Sequence, residues 1–415
     1  MDQGIERIKL GKWDGLFRHK EVDIPSSKSI ANRALIIQAL SPGMEISRIS
    51  SAKDTQTLQA ILEQLPQQAD VGPAGTPFRF LLSFLAQNQN FKGVLTGSAR
   101  MQERPIGDLV DALKSLGANM QYTKEQGYPP VAIEGSKLDG GLVHMKADIS
   151  SQFVSSLLLI GPCLAKGLEI HFDSEPVSKP YINMTMDTMR LFGAKVTWVE
   201  NGVKVEPGGY ATGKIEVESC WSSISYFLGL VALAKKGEEL RFKGFQALSS
   251  QGDAVLQSIM PHFGVKMDFQ NGELRVVNTG EVAGFSEPVN CEGFPDLAQT
   301  LIALACFKGV KMHLTGLQTL RIKETDRIEA MVQELGKIGY LIECTQDSMH
   351  YAGEKTENRN PEIETYHDHR VAMSCAMGIS VLDYLVIENP SVVEKSFPNF
   401  FDQLGQITGI QVLVC

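Results

Sequence analysis

The 415-residue sequence lacks any run of about 18 apolar residues, which is the length a helix needs to cross a membrane. Residues 1–6 are polar, so we expect no signal peptide and no membrane partner. The sequence also lacks a Cys-x-x-Cys pair, and its seven cysteines have no spacing typical of a metal site. These cysteines predict reduced thiols in a cytoplasmic protein without a bound metal.

Positive charge is in deficit, because 39 Lys and Arg residues stand against 48 Asp and Glu residues and the net charge is −9. An acidic balance disfavours nucleic acids and anionic membranes as partners. Many basic residues nevertheless lie in turn-like segments of small residues. Because guanidinium groups match phosphate and carboxylate geometry, this placement predicts a small anionic ligand.

Low-complexity segments and long linkers are missing too, although the length of the chain favours two lobes over one core. A repeat is visible instead. Predicted helices end in an apolar residue followed by Gly117, Gly193, Gly264 or Gly339, spaced 71 to 76 residues apart. Each glycine fits a left-handed helix C-terminus, and hairpin patterns follow at residues 196–205 and 266–277. This period is typical of repeated α+β subdomains.

Apolar spacing and end signals predict nine helices along the chain. Their ranges are 76–85, 105–116, 152–164, 181–192, 222–233, 254–263, 296–306, 326–336 and 368–382.

The segment at residues 25–33 organises the rest of the chain. Proline ends a strand-like run, two serines follow, and Lys28 precedes an apolar run with helical spacing. Free backbone N–H groups, the helix dipole and Lys28 together form an anion site. Ser29 and Arg33 are four positions apart and share a helix face. The alternative is an ordinary helix cap with a solvated lysine and arginine.

Other helix starts before residue 200 carry similar donors. Gly75 leaves the backbone of a turn open to a ligand, although a plain turn is equally compatible with that sequence. Arg100, in a loop of small residues, is a candidate anion ligand, whereas we expect Arg104 and Glu103 to be structural. Neutral and cationic donors follow at two more helix starts, in the residues Ser150, Ser151, Gln152, Ser178, Lys179 and Tyr181.

Acidic groups enter later in the chain. Asp296 stands at the start of an apolar helix, where it is either a helix cap or a general base. Residues 321–327 are unusually charged for a turn and form either a surface network or an acid beside a phosphate clamp. Residues 366–373 contain His-x-His, but no third ligand has suitable spacing, so a metal is disfavoured.

At this point the sequence resembles the 5-enolpyruvylshikimate-3-phosphate synthase family of enolpyruvyl transferases from about residue 25 to residue 403. Ten motifs carry the resemblance in family order, and the series is far more specific than any one of them. They are PSSKSIANRAL, GPAGTPFR, LTGSARMQERPIGDLVDAL, SSQF, SKPYI, SSISYF, FPDLAQT, RIKETDRIEAM, YHDHRVAM and KSFPNFF.

The resemblance implies an α+β fold of two similar lobes, each built of three repeated α/β subdomains in an inverse α/β barrel-like arrangement. One lobe would comprise residues 1–19 and 220–415, the other residues 20–219, with the active site in the cleft between them. The implied reaction transfers the enolpyruvyl group of phosphoenolpyruvate to the 5-hydroxyl of shikimate 3-phosphate and releases phosphate. No cofactor is implied, and we expect a monomer.

The resemblance also implies roles for single residues. Asp296 would be the base on the 5-hydroxyl, and Glu324 with Lys28 the acid. Shikimate 3-phosphate would be bound by Lys28, Ser29, Arg33, Ser150, Ser151, Gln152, Ser178, Tyr181, Asp296 and Lys323. Phosphoenolpyruvate would be bound by Lys28, Gly75, Arg100, Gln152, Arg327, His369, Arg370 and Lys395.

The chain departs from the family pattern at Pro73, Thr319, Leu320, Cys220 and Trp221, and at residues 98–99, without loss of a charged catalytic group. Three alternatives stay open. The related UDP-N-acetylglucosamine enolpyruvyl transferases share the chemistry but carry a cysteine loop, whereas no cysteine precedes Cys163 here. A non-catalytic anion-binding protein could keep the fold. RNA 3′-phosphate cyclases have related subdomains, but the acidic charge disfavours them.

Overall fold

The computed structural model describes residues 6–146, 150–173, 176, 179–357 and 360–415. The chain divides into two compact units. The discontinuous unit comprises Met1–Pro25 and Ser219–Cys415, and the continuous unit comprises Ser26–Glu218. The chain thus leaves the discontinuous unit after Pro25 and re-enters it at Ser219, whereas the expected crossings lie near residues 19 and 220.

Helices and strands alternate through both units. The α-helices of the described residues are α1 (Lys28–Leu40), α2 (Lys53–Gln64), α3 (Gly75–Gln87), α4 (Ala99–Gln102), α5 (Gly107–Ser115), α6 (Ser151–Ile160), α7 (Lys179–Leu191), α8 (Trp221–Leu233), α9 (Leu256–Ile259), α10 (Ala298–Lys308), α11 (Arg327–Lys337), α12 (His369–Ala376) and α13 (Phe400–Thr408). In this part of the chain, no helix combines the length and the hydropathy that a membrane span requires.

The strands are short. They are β1 (Arg7–Gly11), β2 (Glu21–Val22), β3 (Glu45–Ser47), β4 (Gln68–Asp70), β5 (Lys92–Thr96), β6 (Asn119–Tyr122), β7 (Val131–Glu134), β8 (Gly141–Met145), β9 (Leu168–Phe172), β10 (Val196–Val199), β11 (Gly202–Val205), β12 (Lys214–Glu216), β13 (Glu239–Lys243), β14 (Val265–Gln270), β15 (Glu273–Asn278), β16 (Val289–Asn290), β17 (Met312–Thr315), β18 (Glu343–Cys344), β19 (Met349–Tyr351), β20 (Glu362–Ile363), β21 (Tyr384–Glu388) and β22 (Val412–Val414).

Among the described residues, three small sheets form in each unit. The discontinuous unit has the four-stranded orders β20-β21-β1-β22, β14-β15-β13-β2 and β16-β17-β19-β18. The continuous unit has β10-β11-β9-β8, β4-β5-β7-β6 and the two-stranded sheet β12-β3. Every four-stranded sheet joins one parallel pair to two antiparallel pairs. The α+β class and the threefold repetition within each lobe are therefore confirmed.

The repeated glycines end helices as the sequence predicts. Gly117, Gly193, Gly264 and Gly339 all have left-handed φ angles, between +77° and +101°. After α5, the N–H of Gly117 donates to Lys114 O and that of Ala118 to Leu113 O, which is the Schellman pattern. The same pair of bonds closes α7 at Gly193 and α11 at Gly339. Each turn feeds the chain into the outer antiparallel strand of its sheet.

Hydroxyl groups hold together the buried helices of each unit. In the continuous unit, Ser83 of α3 bonds to Ser156 of α6 at 2.6 Å within an apolar core. In the discontinuous unit, Ser225 of α8 lies 3.0 Å from Thr300 of α10, within a second core. Small hydroxyl residues allow close packing while keeping their own polar atoms bonded. This packing fixes the positions of helices whose first residues are candidate site residues.

Prolines explain two differences between predicted and observed helices. The expected helix at 254–263 is split into Gly252–Val255, α9 and Met260–Phe263, because Pro261 cannot donate a backbone hydrogen bond. Helix α6 likewise changes to a 3₁₀ turn at Gly161–Cys163, which contains Pro162. Three helices, α2, α4 and α13, were not predicted.

Candidate active site

Asp296 lies between two arginines of the discontinuous unit. It sits in the 3₁₀ segment Pro295–Leu297, directly before α10. Its Oδ1 accepts from Arg327 Nη1 at 3.0 Å, and its Oδ2 accepts from Arg370 Nη2 at 2.7 Å. Arg327 and His369 begin α11 and α12, and Arg370 is the second residue of α12. Side chains far apart in sequence are thus brought together by three helix starts.

Arg327 joins three carboxylates through one guanidinium group. Besides Asp296, it donates from Nη2 to Glu324 Oε2 at 2.9 Å and from Nε to Asp368 Oδ2 at 2.7 Å. Glu324 also accepts from Lys395 Nζ at 2.6 Å. The planar guanidinium can serve all three partners at once, which a lysine could not do with this geometry.

This environment sets the charge state of Asp296. Burial alone would raise its pKa, but Arg370, Arg327 and Lys323 outweigh burial and hold the pKa well below its usual range. Burial tends to lower the pKa of Arg327, yet Asp368, Glu324 and Asp296 raise it above its usual value. Both residues are therefore charged at neutral pH, as parts of one network.

Asp368 organises the start of α12. It is fully buried, its Oδ1 accepts from the backbone N–H of Arg370 at 2.8 Å, and its Oδ2 accepts from Arg327. The neighbouring His369 is also buried, with its Nδ1 3.8 Å from Asp368 Oδ1. The sequence motif contains Asp368, but its role in orienting Arg327 depends on a contact 41 residues distant and was missed.

Asp253 is a second carboxyl that sequence reasoning missed. It is 5% exposed, bonds to Ser222 Oγ through Oδ2, and has no hydrogen-bond partner for Oδ1 among the described residues. Burial and the negative charge of Asp296 raise its pKa to about 6, against the lowering effects of Ser222 and Arg370. The charge of Asp253 therefore interacts with the charges of Asp296 and Arg370.

In the continuous unit, Lys28 begins α1 and is held by a carboxylate. Ser27 caps the helix, accepting from Ile30 N at 3.4 Å, as the sequence predicts for a helix start. Lys28 Nζ lies 2.9 Å from Asp54 Oδ2 in the first turn of α2. Asp54 is buried, whereas Lys28 keeps part of its side chain accessible. The buried carboxylate of Asp54 therefore orients the ammonium group of Lys28.

Arg33 connects the first turn of α1 to α7 from a buried position. Its guanidinium donates to Ser29 O at 2.8 Å, to Tyr181 O at 3.1 Å and to Thr185 Oγ1 at 2.7 Å. Burial lowers its pKa to about 10, so it remains charged at neutral pH. The structure therefore brings Ser29, Arg33 and Tyr181 together, because the Arg33 guanidinium bonds to the backbone carbonyl oxygens of the other two residues.

Gly75 is the first residue of α3 and lies next to the side chains of Arg79 and Arg104. Arg79 Nη1 donates to Gly75 O at 2.9 Å. A Cβ added at Gly75 would overlap Arg104 Nη1 and lie 2.8 Å from Arg79 Nη1. Arg104, expected to be structural, thus approaches a predicted ligand-binding backbone. Arg100 instead bonds to Glu103 Oε2 at 2.8 Å on the exposed surface.

Helix α6 supplies the hydroxyl donors that the sequence predicts. Ser150 caps it, accepting from Gln152 N at 3.4 Å, and Ser151 is its first residue. Gln152 Nε2 donates to Thr76 Oγ1 at 3.0 Å, which links α6 to the start of α3 beside Gly75. Ser178 lies outside the described residues. No group of three or more potential metal ligands occurs in the ranges that the structure describes.

Comparisons with known proteins give one consistent result. The sequence model of EPSP synthase (3-phosphoshikimate 1-carboxyvinyltransferase) matches residues 52–404. A 3-phosphoshikimate 1-carboxyvinyltransferase of Bacteroides fragilis is 38% identical over 387 residues, covering 92% of this chain and 94% of that protein. The enzyme of that name from Shewanella sediminis is 34% identical over 416 residues, covering 93% and 96%.

A solved structure agrees on the fold. EPSP synthase from Acinetobacter baumannii has a TM-score of 0.76 to this chain at 23% identity, covering 98% of this chain and 100% of that one.

Proposed function

Since the chain belongs to the EPSP synthase family, we propose that residues of both units serve one pair of substrates, phosphoenolpyruvate and shikimate 3-phosphate. The family reaction is an enolpyruvyl transfer in aromatic amino acid biosynthesis, and the chain is a transferase of this class. Phosphoenolpyruvate gains a proton at its methylene carbon, and the 5-hydroxyl of shikimate 3-phosphate loses its proton and attacks the adjacent carbon. The tetrahedral product then loses phosphate and one proton of its methyl group, which restores the carbon–carbon double bond.

The contacts of Asp296 carry the proposal for the chemistry. A carboxylate that removes the hydroxyl proton needs a higher pKa than two neighbouring arginines allow. The carboxylate and phosphate groups of phosphoenolpyruvate suit Arg327, Arg370 and Lys395, with His369 beside them. Bound substrate anions would share these cations and add negative charge, which raises the pKa of Asp296 and prepares it as the base.

Glu324 fits the role of the acid by the same reasoning. It is bonded to Arg327 and Lys395, two of the cations that phosphoenolpyruvate would engage. As those cations turn to the substrate, the carboxyl of Glu324 becomes easier to protonate and can deliver a proton together with Lys28. Lys323, which contributes to the low pKa of Asp296, would bind shikimate 3-phosphate.

The continuous unit supplies the remaining ligands in this proposal. Lys28, fixed by Asp54, would contact both substrates. Gly75, Arg100 and Gln152 would bind phosphoenolpyruvate. Shikimate 3-phosphate would be bound through hydroxyl, amide and guanidinium donors at helix starts. These are Ser29, Arg33, Ser150, Ser151, Gln152, Ser178 and Tyr181.

A two-substrate assay tests the proposal. We expect phosphate release only when phosphoenolpyruvate and shikimate 3-phosphate are both present, with the enolpyruvyl product detected by mass spectrometry. Binding of both substrates, measured by calorimetry, without phosphate release would instead identify a non-catalytic anion-binding protein. Release with UDP-N-acetylglucosamine in place of shikimate 3-phosphate would assign the chain to the related transferase.

We further propose a monomeric, cytoplasmic enzyme without nucleic-acid or membrane partners. All seven cysteines are free, as is typical of proteins in a reducing compartment. The net charge of −9 disfavours polyanionic partners. Light scattering after size exclusion should give the mass of one 45.5 kDa chain, and twice that mass would overturn the monomer.

A further inference from the structure

Glu334 is a fully buried carboxyl on the helix that begins with Arg327. The two residues are seven positions apart on α11, which is about two turns, so both face the same way. Glu334 is 0% exposed, and its Oε1 accepts from Lys337 Nζ at 2.7 Å. A buried carboxylate is stable only when its charge is paired and its oxygens are hydrogen-bonded. Its other partners therefore matter.

Those partners lie in the loop that precedes α12. The Tyr366 hydroxyl lies 2.6 Å from Glu334 Oε1, and the backbone N–H of Glu364 donates to Glu334 Oε2 at 3.1 Å. The hydroxyl is also 2.9 Å from Gln333 Oε1, but it has one hydrogen, and the shorter contact with a charged acceptor is the stronger bond. Glu334 thus fastens the loop at two points.

This loop adopts a backbone conformation that its residues disfavour. Tyr366 has a φ of +52° and His367 a φ of +55°, so two successive non-glycine residues are left-handed. Asparagine, aspartate and histidine tolerate this region better than a bulky aromatic residue such as tyrosine. Such a turn persists only when its surroundings hold it in place.

The strained turn leads directly into the cluster around Arg327. Asp368 N donates to Thr365 O at 2.8 Å, and Asp368 then caps α12 and accepts from Arg327 Nε at 2.7 Å. Two residues after the turn, Arg370 bonds to Asp296. A shift of the turn would therefore move Asp368, which is a partner of Arg327, together with Arg370 itself.

We propose that Glu334 and Tyr366 are positioning residues, which hold this turn so that Arg327 and Arg370 face phosphoenolpyruvate in the correct geometry. The inference rests on the proposed function, which assigns those arginines to that substrate. Glu334 and Tyr366 act through the backbone of residues 364–368 and touch no substrate themselves.

The test is steady-state kinetics of Tyr366→Phe, which removes one hydroxyl and keeps the ring. Loss of a hydrogen bond to a charged group predicts a rise of about tenfold in KM for phosphoenolpyruvate, while KM for shikimate 3-phosphate stays within about twofold. In the double variant Tyr366→Phe with His367→Gly, glycine accepts the left-handed conformation and should return KM for phosphoenolpyruvate most of the way to the wild-type value. His367→Gly alone should leave both KM values within about twofold of the wild type.

Tyr210→Phe is the matched control, because the Tyr210 hydroxyl donates to Leu159 O at 2.8 Å in the continuous unit. It should lower the melting temperature without a selective change in KM. If Tyr366→Phe gives insoluble protein, Glu334→Gln serves instead, and the same selective rise in KM is expected.

Arg370→Gln distinguishes a failure of the substrate assignment from a failure of the positioning role. If it leaves KM for phosphoenolpyruvate unchanged, the assignment of Arg370 fails and the inference falls with it. If Arg370→Gln raises this KM but Tyr366→Phe changes neither KM, or raises both equally, the assignment stands and the positioning role is overturned.

Discussion

Lys28 Nζ lies 2.9 Å from Asp54 Oδ2, and this carboxylate is 4% exposed while the lysine remains partly accessible. The pair joins the first turns of α1 and α2, so the position of the ammonium group depends on a neighbour 26 residues away. A lysine that must act on two substrates loses little entropy on binding when it is already oriented.

Asp54→Asn should therefore lower kcat by about tenfold or more, because the amide keeps the shape but loses the charge that orients Lys28. KM should change less than kcat. Asp139→Asn is the control, since Asp139 pairs with Lys166 at 3.2 Å on the exposed surface of the same unit and such pairs contribute little. Equal effects of the two substitutions would show that the Lys28 pair has no catalytic importance.

Gly75→Ala should raise KM for phosphoenolpyruvate more than KM for shikimate 3-phosphate. The new methyl group would overlap Arg104 Nη1 and crowd Arg79 Nη1, so both guanidinium groups must move. Gly11→Ala is a matched control, because its Cβ would meet nothing within 4 Å. Unchanged kinetics of Gly75→Ala would mean that neither arginine influences substrate binding.

Asp296→Ala should lower turnover by about a hundredfold or more, with a smaller loss of substrate binding measured by calorimetry. Asp326→Ala shows what loss of a helix cap does, since Asp326 accepts from Glu329 N at 3.1 Å at the start of α11, and its only other side-chain partner among the described residues is Arg321, which is not a proposed substrate ligand. That variant should lose stability without losing a comparable part of kcat. Equal losses of turnover and binding in Asp296→Ala would make Asp296 a structural cap.

Local rules explain which parts of the fold could be predicted. Gly117 and Gly193 need only their own φ angles and the preceding helix, so their spacing predicted the repeat correctly. The start of α1 was predictable for the same reason, because Ser27 and Lys28 are adjacent in sequence. Helix α2 was missed, and the residue before it, Ala52, has no side-chain cap to signal its start.

The partners of charged groups could not be predicted in the same way. An aspartate in the first turn of a helix, such as Asp54, favours any helix and does not reveal a lysine on another helix. Asp253 and Glu334 are buried by contacts that sequence spacing does not encode. Motifs therefore predicted Asp296, Glu324 and Arg370 as site residues, but they did not predict that one guanidinium, that of Arg327, joins Asp296, Glu324 and Asp368.

The pH dependence of stability should report on Asp253. Its pKa is raised from 3.8 to about 6 by burial and by the charge of Asp296. The folded protein therefore binds this proton more tightly than the unfolded chain does. Below about pH 4 the carboxyl is protonated in both states and costs nothing, whereas above pH 6 it is ionised in both states. The destabilisation grows between these values and is complete above pH 6, where the buried charge reduces the free energy of unfolding by about 3 kcal/mol.

Asp253→Asn removes this buried charge, so its melting temperature should exceed that of the wild type at pH 7.5 and match it near pH 4. Ser222, which bonds to Asp253, can donate equally to an amide oxygen. Asp23→Asn is the control, because Asp23 lies in the same unit but is exposed, so its charge stays in water in the folded protein. Thermal melts across this range decide the matter. If the difference in melting temperature between variant and wild type stays constant with pH, Asp253 does not titrate in this pH range.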